Sequence, residues 1–191
     1  MVSKMKSVLI SIQPKWVEKI ANGQKTIEVR KTAPKCEVPF KCYIYATKAK
    51  KWFHSGIILT SNELLWLSSG KIKMCDGFEL WADGEDYQCV NGKVIGEFVC
   101  DNAEWMSMRD CDKACMTLKE AVDYGKGKKL YAWHISDLKI YDKPKELSEF
   151  RVPCPTSCEN CKNPLYYECW CEEKGIKVVT RAPQSWQYVE E

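Results

Sequence analysis

The feature that most restricts the fold is the stretch from residue 11 to residue 30. It packs a strand end, a short helix, a tight turn and a charged strand into twenty residues. Val8 to Ile12 alternates as a strand. Pro14 opens a helix, because proline fits the first helical turn, where its missing N–H is no loss. Trp16, Val17 and Ile20 give that helix an apolar side, and Gly23 closes it. Thr26 to Arg30 then reads as a strand, with Ile27 and Val29 facing one way and Thr26, Glu28 and Arg30 the other. Lys25, Glu28 and Arg30 are therefore expected close together, with Glu28 and Arg30 about 7 Å apart on one strand face.

The rest of the chain is mostly strand. Lys41 to Thr47, Lys93 to Cys100 and Leu130 to Tyr141 are rich in β-branched and aromatic residues. In the last of these, Tyr131, Trp133 and Ile135 share one face and Leu130, Ala132 and His134 the other. A short helix is expected around Glu63 to Leu67. A second follows the capping box Thr117-Leu118-Lys119-Glu120, ending at Gly125 and Gly127. Residues 71–92 are polar and turn-rich and read as a surface excursion, ending at the turn dipeptide Asn91-Gly92. Strands of varied spacing with few helices predict an α+β fold with a mixed β-barrel rather than a doubly wound parallel sheet.

Composition narrows the function. Formal net charge is +3, from 29 basic and 26 acidic residues, so a basic surface must be local. No apolar run approaches the roughly 20 residues of a membrane span. No apolar segment follows Lys4 and Lys6 as a signal peptide requires. A cytoplasmic location is expected, and with it reduced thiols for the 12 cysteines.

Five of those cysteines, Cys154, Cys158, Cys161, Cys169 and Cys171, fall within 18 residues. A C-x-x-C pair followed closely by further thiols has the spacing of a tetrahedral zinc site, and soft thiolates disfavour magnesium or calcium. Four of the five are expected to hold structural zinc. Cys36, Cys42, Cys89, Cys100 and Cys111 are expected to be inert thiols, as is Cys115.

The motif Ser11-Ile12-Gln13-Pro14-Lys15-Trp16, with Ile20 and Gly23-x-Lys25-x-x-Glu28-x-Arg30, resembles the ASCH family. Tyr43-Ile44-Tyr45-Ala46-Thr47, Val94-Ile95-Gly96-Glu97-Phe98 and Tyr131-Ala132-Trp133-His134-Ile135-Ser136 resemble its later strands. Pro183-Gln184-Ser185-Trp186-x-Tyr188-Val189-Glu190 resembles the terminal strand of a bacterial and phage-borne subgroup. The resemblance implies a PUA-like barrel flanked by short helices over residues 1–150. A Cys-rich insert would follow at 151–180, and an extended tail at 181–191 would pack back on the barrel. It also implies a cleft between barrel and first helix, where family members are proposed to bind RNA or modified bases.

Three functions follow as expectations. The first is a monomeric binding module for RNA or a modified nucleotide. In it Lys25, Glu28 and Arg30 recognise polar groups, Gln13 lies beside them, and Trp16, Tyr45 and Trp133 offer stacking faces. The competing role for those aromatics is core packing. The second is a hydrolase on RNA or an acylated nucleoside with Lys25 and Glu28 as an acid–base pair. Related amidohydrolases use a Lys, a Thr and a Glu; Lys25 matches the first, but Glu28 stands where the Thr belongs and Ala114 lies near the place of the acid. The third is a zinc-stapled protein-interaction adaptor.

Overall fold

The computed structural model describes residues 7–48, 92–153 and 176–190. It also gives the backbone of the short strands Ile72–Met74, Leu80–Ala82, Glu85–Tyr87 and Cys171–Glu173. In chain order the first elements are β1 (Ser7–Ile12), α1 (Pro14–Ala21), β2 (Ile27–Arg30) and β3 (Phe40–Ala46). Next come β4 (Ile72–Met74), β5 (Leu80–Ala82), β6 (Glu85–Tyr87), β7 (Val94–Cys100) and β8 (Ala103–Trp105). Two short helices follow, α2 (Asp110–Lys113) and α3 (Leu118–Gly125), and then β9 (Tyr131–His134) and β10 (Ser136–Lys145). The chain ends with β11 (Arg151–Pro153), β12 (Cys171–Glu173), β13 (Ile176–Val178) and β14 (Trp186–Val189).

The main sheet has the order β10-β7-β3-β1-β14. Its central pair, β1 and β3, runs parallel, and the other pairs are antiparallel. Both faces are covered, which is why β1 and β3 read as almost unbroken apolar runs. On one face Val8, Ile10, Ile12, Ile44 and Phe98 pack with Val17 and Ile20 of α1 and with Trp133. On the other, Leu9, Tyr43 and Tyr45 pack with Phe150, Val179 and Val189. A second sheet, β2-β9-β8, carries Trp133 toward the first core. Its opposite face, through Ile27, Val29 and Ala132, packs with Leu130 just before β9, with Ala114 just past α2 and with Ala121 of α3.

The expected long strand over 130–141 is two strands. β9 pairs with β2 and β8, whereas β10 pairs with β7 in the main sheet. The crossing falls at Ile135, whose N–H donates to Thr26 O at 3.0 Å, and at Asp137, with φ +47°. Side-chain alternation cannot reveal such a crossing, because Tyr131, Trp133 and Ile135 keep one face against one core throughout. Gly96 allows β10 to press on β7 there: a Cβ at Gly96 would collide with the Lys139 carbonyl.

Two further expectations change. The strands form separate sheets, and among the described residues no ladder closes them into a barrel. Residues 71–92 are not simply a loop: β4, β5 and β6 make a small antiparallel sheet there. The helix expected around Glu63 to Leu67 lies outside the described residues, as do Cys89, Cys154, Cys158, Cys161 and Cys169. Cys171 begins β12. Among the described residues no helix is long and apolar enough to cross a membrane.

Candidate functional site

The local sequence builds the site from the end of α1. Asn22 N–H donates to Glu18 O at 3.0 Å and Gly23 N–H to Ile20 O at 2.9 Å. Gly23 sits at φ +72°, a left-handed conformation that glycine adopts without a Cβ penalty. The turn brings Lys25 back on the helix, with its N–H on Lys19 O at 3.0 Å. Lys25 Nζ then lies 5.1 Å from the centre of the Trp16 ring.

Lys25, Glu28 and Arg30 are all buried, at 3%, 5% and 6% exposure. Burial of three charges is tolerable only with mutual pairing. Glu28 is bracketed by two cations: Lys25 Nζ is 3.4 Å from Oε2 and Arg30 Nη2 is 3.0 Å from Oε1. The cations also hold backbone. Lys25 Nζ donates to Ala114 O at 2.9 Å, and Arg30 Nη2 to Ser11 O at 2.6 Å. Arg30 Nη1 reaches Ser185 O at 3.5 Å and Ser185 Oγ at 3.4 Å. The triad thereby joins β2 to β1, to the end of α2 and to the segment before β14.

Above this floor lies a cavity of about 870 Å³, within the range of small-ligand sites, roughly 300–1,000 Å³. Trp16 of α1 and Tyr124 of α3 line it, together with Met116, Gln13, Thr47 and Gln184. Its charged lining comprises Lys15, Lys25, Arg30 and Arg181 against Glu28 and Glu120. Glu120 is already engaged: its carboxylate accepts from Thr117 N–H at 2.7 Å and from Thr117 Oγ1 at 2.9 Å. Those bonds hold its pKa below the ordinary value. Burial pushes the Tyr124 hydroxyl up, so the ring meets the cavity as a neutral phenol at neutral pH. Glu28 Oε2 and Arg30 Nε are buried without a hydrogen-bond partner among the described residues, and a polar occupant or water would complete them. The cavity thus offers two aromatic surfaces, a polar floor and an excess of positive charge.

No protein-family model and no curated protein matches the sequence. Solved structures do match. The crystal structure of ASCH from Zymomonas mobilis superposes with a TM-score of 0.54 at 17% identity, over 97% of this chain and 89% of that one. Two crystal structures of mutant forms of the Zymomonas mobilis protein each give 0.53 at 16% identity. They cover 98% and 100% of this chain, and 92% of theirs in both cases. The chain has an ASCH-type fold.

Within this ASCH-type fold, Gln13, Trp16, Lys25, Glu28 and Arg30 come together at one cavity. Trp133 and Tyr45 do not join them. Trp133 is fully buried and packs edge-on to Phe40 at 5.4 Å between centroids, so it belongs to the core. Tyr45, 6% exposed, lines a neighbouring cavity. Tyr124, Met116 and Arg181 went unrecognised in the sequence. Tyr124 has one local signal: it lies four residues after the capping-box Glu120, on the same side of α3. Arg181 has none, because its position depends on the return of the chain to β1.

Proposed function

We propose that this ASCH-type chain is a nucleic-acid-binding module that holds an unpaired base of RNA, or a modified base, in the cavity between α1 and α3. The observation that carries the reading is the buried Lys25–Glu28–Arg30 floor of a cavity that Trp16 and Tyr124 also line. Aromatic stacking on a single base is worth about 1–3 kcal/mol. The polar floor supplies hydrogen-bond partners for a base edge, and the cationic rim favours a nearby phosphate. The resemblance to the ASCH motif, a PUA-like family associated with RNA, agrees with this chemistry.

Titration with the four ribonucleosides and with a mixed-sequence RNA hexamer tests the reading. Trp16→Ala and Arg30→Lys are each expected to weaken binding about tenfold, the second because lysine cannot reproduce the guanidinium fork. Unchanged affinity in both variants would sink the proposal.

The contact between Lys25 and Glu28 supports a second reading, hydrolysis of RNA or an acylated nucleoside with these two as an acid–base pair. Cleavage of the hexamer or of an acylated cytidine, abolished by Glu28→Gln, is its expected sign. A structural zinc held by four of Cys154, Cys158, Cys161, Cys169 and Cys171 is likewise a proposal, resting on their spacing. It requires close to one zinc per chain in metal analysis; a metal-free folded protein would remove it, and with it the main support for an adaptor role.

A further inference from the structure

A second cavity, of about 690 Å³, adjoins the first. Ser11, Thr47, Arg181 and Pro183 line both. The partition between them is the end of β1 and the segment it holds: Ser11 N–H donates to Ser185 O at 2.9 Å and Ser11 Oγ to Pro183 O at 2.6 Å. Arg181 is exposed and stands at the shared rim. A chain leaving one cavity past Arg181 enters the other.

The second cavity is also cationic. Among the described residues that line it, the one carboxylate, Glu146, lies 2.9 Å from Lys93 Nζ. Lys48 and Arg181 therefore bring positive charge that this carboxylate does not cancel. Lys48 is exposed and its side chain lies across Gly92, where a Cβ would come within 2.8 Å of Lys48 Cε. Gly92, at φ +86°, thus leaves the room in which the lysine lies along the cavity wall.

We infer that the second cavity is a phosphodiester subsite for the nucleotide next to the one whose base occupies the first cavity. Arg181 guides the backbone across the rim and Lys48 meets the phosphate. The ligand is then a single-stranded RNA segment of two or more nucleotides rather than a free nucleoside. This inference rests on the base-binding reading of the first cavity and extends it.

Competition binding with ribonucleosides and with a mixed-sequence RNA hexamer separates the two levels. Wild-type protein is expected to bind the hexamer at least about tenfold more tightly than any of the four nucleosides. Lys48→Glu, at an exposed position outside the first cavity, is expected to weaken the hexamer about tenfold while nucleoside affinity stays within about twofold. Lys48→Ala is expected to lower the salt dependence of hexamer binding by about 0.7 in log–log slope, the loss of one phosphate contact on a single strand. Nucleoside binding that Trp16→Ala removes, combined with no gain from the hexamer or no effect of Lys48→Glu, overturns the subsite and leaves the base-binding reading standing. Absence of binding to all five probes overturns both.

Discussion

Arg30 Nη2 stands 3.0 Å from Glu28 Oε1, and both side chains are 7% exposed. The same nitrogen donates to Ser11 O at 2.6 Å, so this pair ties β2 to the centre of the main sheet. Removing the carboxylate leaves Arg30 and Lys25 buried without their shared anion. Breaking a buried pair in this way costs about 3–5 kcal/mol. Glu28→Ala is therefore expected to lower unfolding free energy by about 3 kcal/mol or more in urea denaturation. A loss below about 1 kcal/mol would mean that the triad contributes little to the fold.

Trp133 and Trp16 should separate cleanly by substitution. Trp133 is fully buried against Phe40 and tilted against Trp186. Trp133→Ala is expected to cost about 3–5 kcal/mol through the cavity it leaves. Trp16 is only half-buried and faces the binding cavity. Trp16→Ala is expected to cost less stability and more affinity. The reverse ranking in paired melting and binding measurements would contradict the assignment of these two residues.

Acid should loosen the main sheet through Glu97. Burial alone would raise its pKa, but hydrogen bonds from the Tyr141 hydroxyl and the Lys41 ammonium outweigh that and hold it below its ordinary 4.5. A depressed folded value means that its stabilisation is complete above the ordinary carboxylate range. It is lost as pH falls through the folded value. The urea midpoint is expected to drop as pH falls through and below the ordinary 4.5, and to drop less in Tyr141→Phe. An identical pH dependence in that variant would show that the Tyr141 bond does not set the Glu97 titration.

Thiol reactivity offers a further check. Cys100 is pushed up to about 12, chiefly by burial, and burial likewise drives Cys42 well above the ordinary thiol value. Neither forms a thiolate at neutral pH, and the thiolate is the nucleophile. Native protein treated with iodoacetamide at about pH 8 is expected to leave both unmodified by mass spectrometry, and unfolding is expected to release them. Rapid native labelling of Cys100 would contradict its placement in the core.

The segment from β1 to β2 was legible because each signal in it is local: a proline start, a glycine stop and a charged strand. That also made Lys25, Glu28, Arg30 and Trp16 legible as one site. The division of residues 130–141 between two sheets was not, because the alternation of Trp133 with Ala132 and His134 is the same whichever strand lies alongside. For a related reason the sequence leaves Tyr45 and Trp133 open between stacking and core packing, and the structure puts both in the core. An aromatic on a strand has equal pattern whether it faces a ligand or a core, and only packing decides: that of α1 and Phe40 for Trp133, and that of Leu9, Phe150 and Val179 for Tyr45. Arg181 reaches the cavity through tertiary approach alone, whereas Tyr124 is placed on the Glu120 side of α3 by its spacing.

The most direct test of the base-binding cavity is fluorescence anisotropy of a labelled RNA hexamer with wild-type protein and with Tyr124→Ala. Tyr124 is 39% exposed and outside all three hydrophobic clusters, so the variant should fold and melt as the wild type does. Loss of one stacking surface is worth about 1–3 kcal/mol, roughly tenfold or more in affinity. The expected result is binding by the wild type that weakens at least about tenfold in Tyr124→Ala at unchanged melting temperature. Equal affinity in the two proteins, or no binding by either, would contradict a base held between Trp16 and Tyr124.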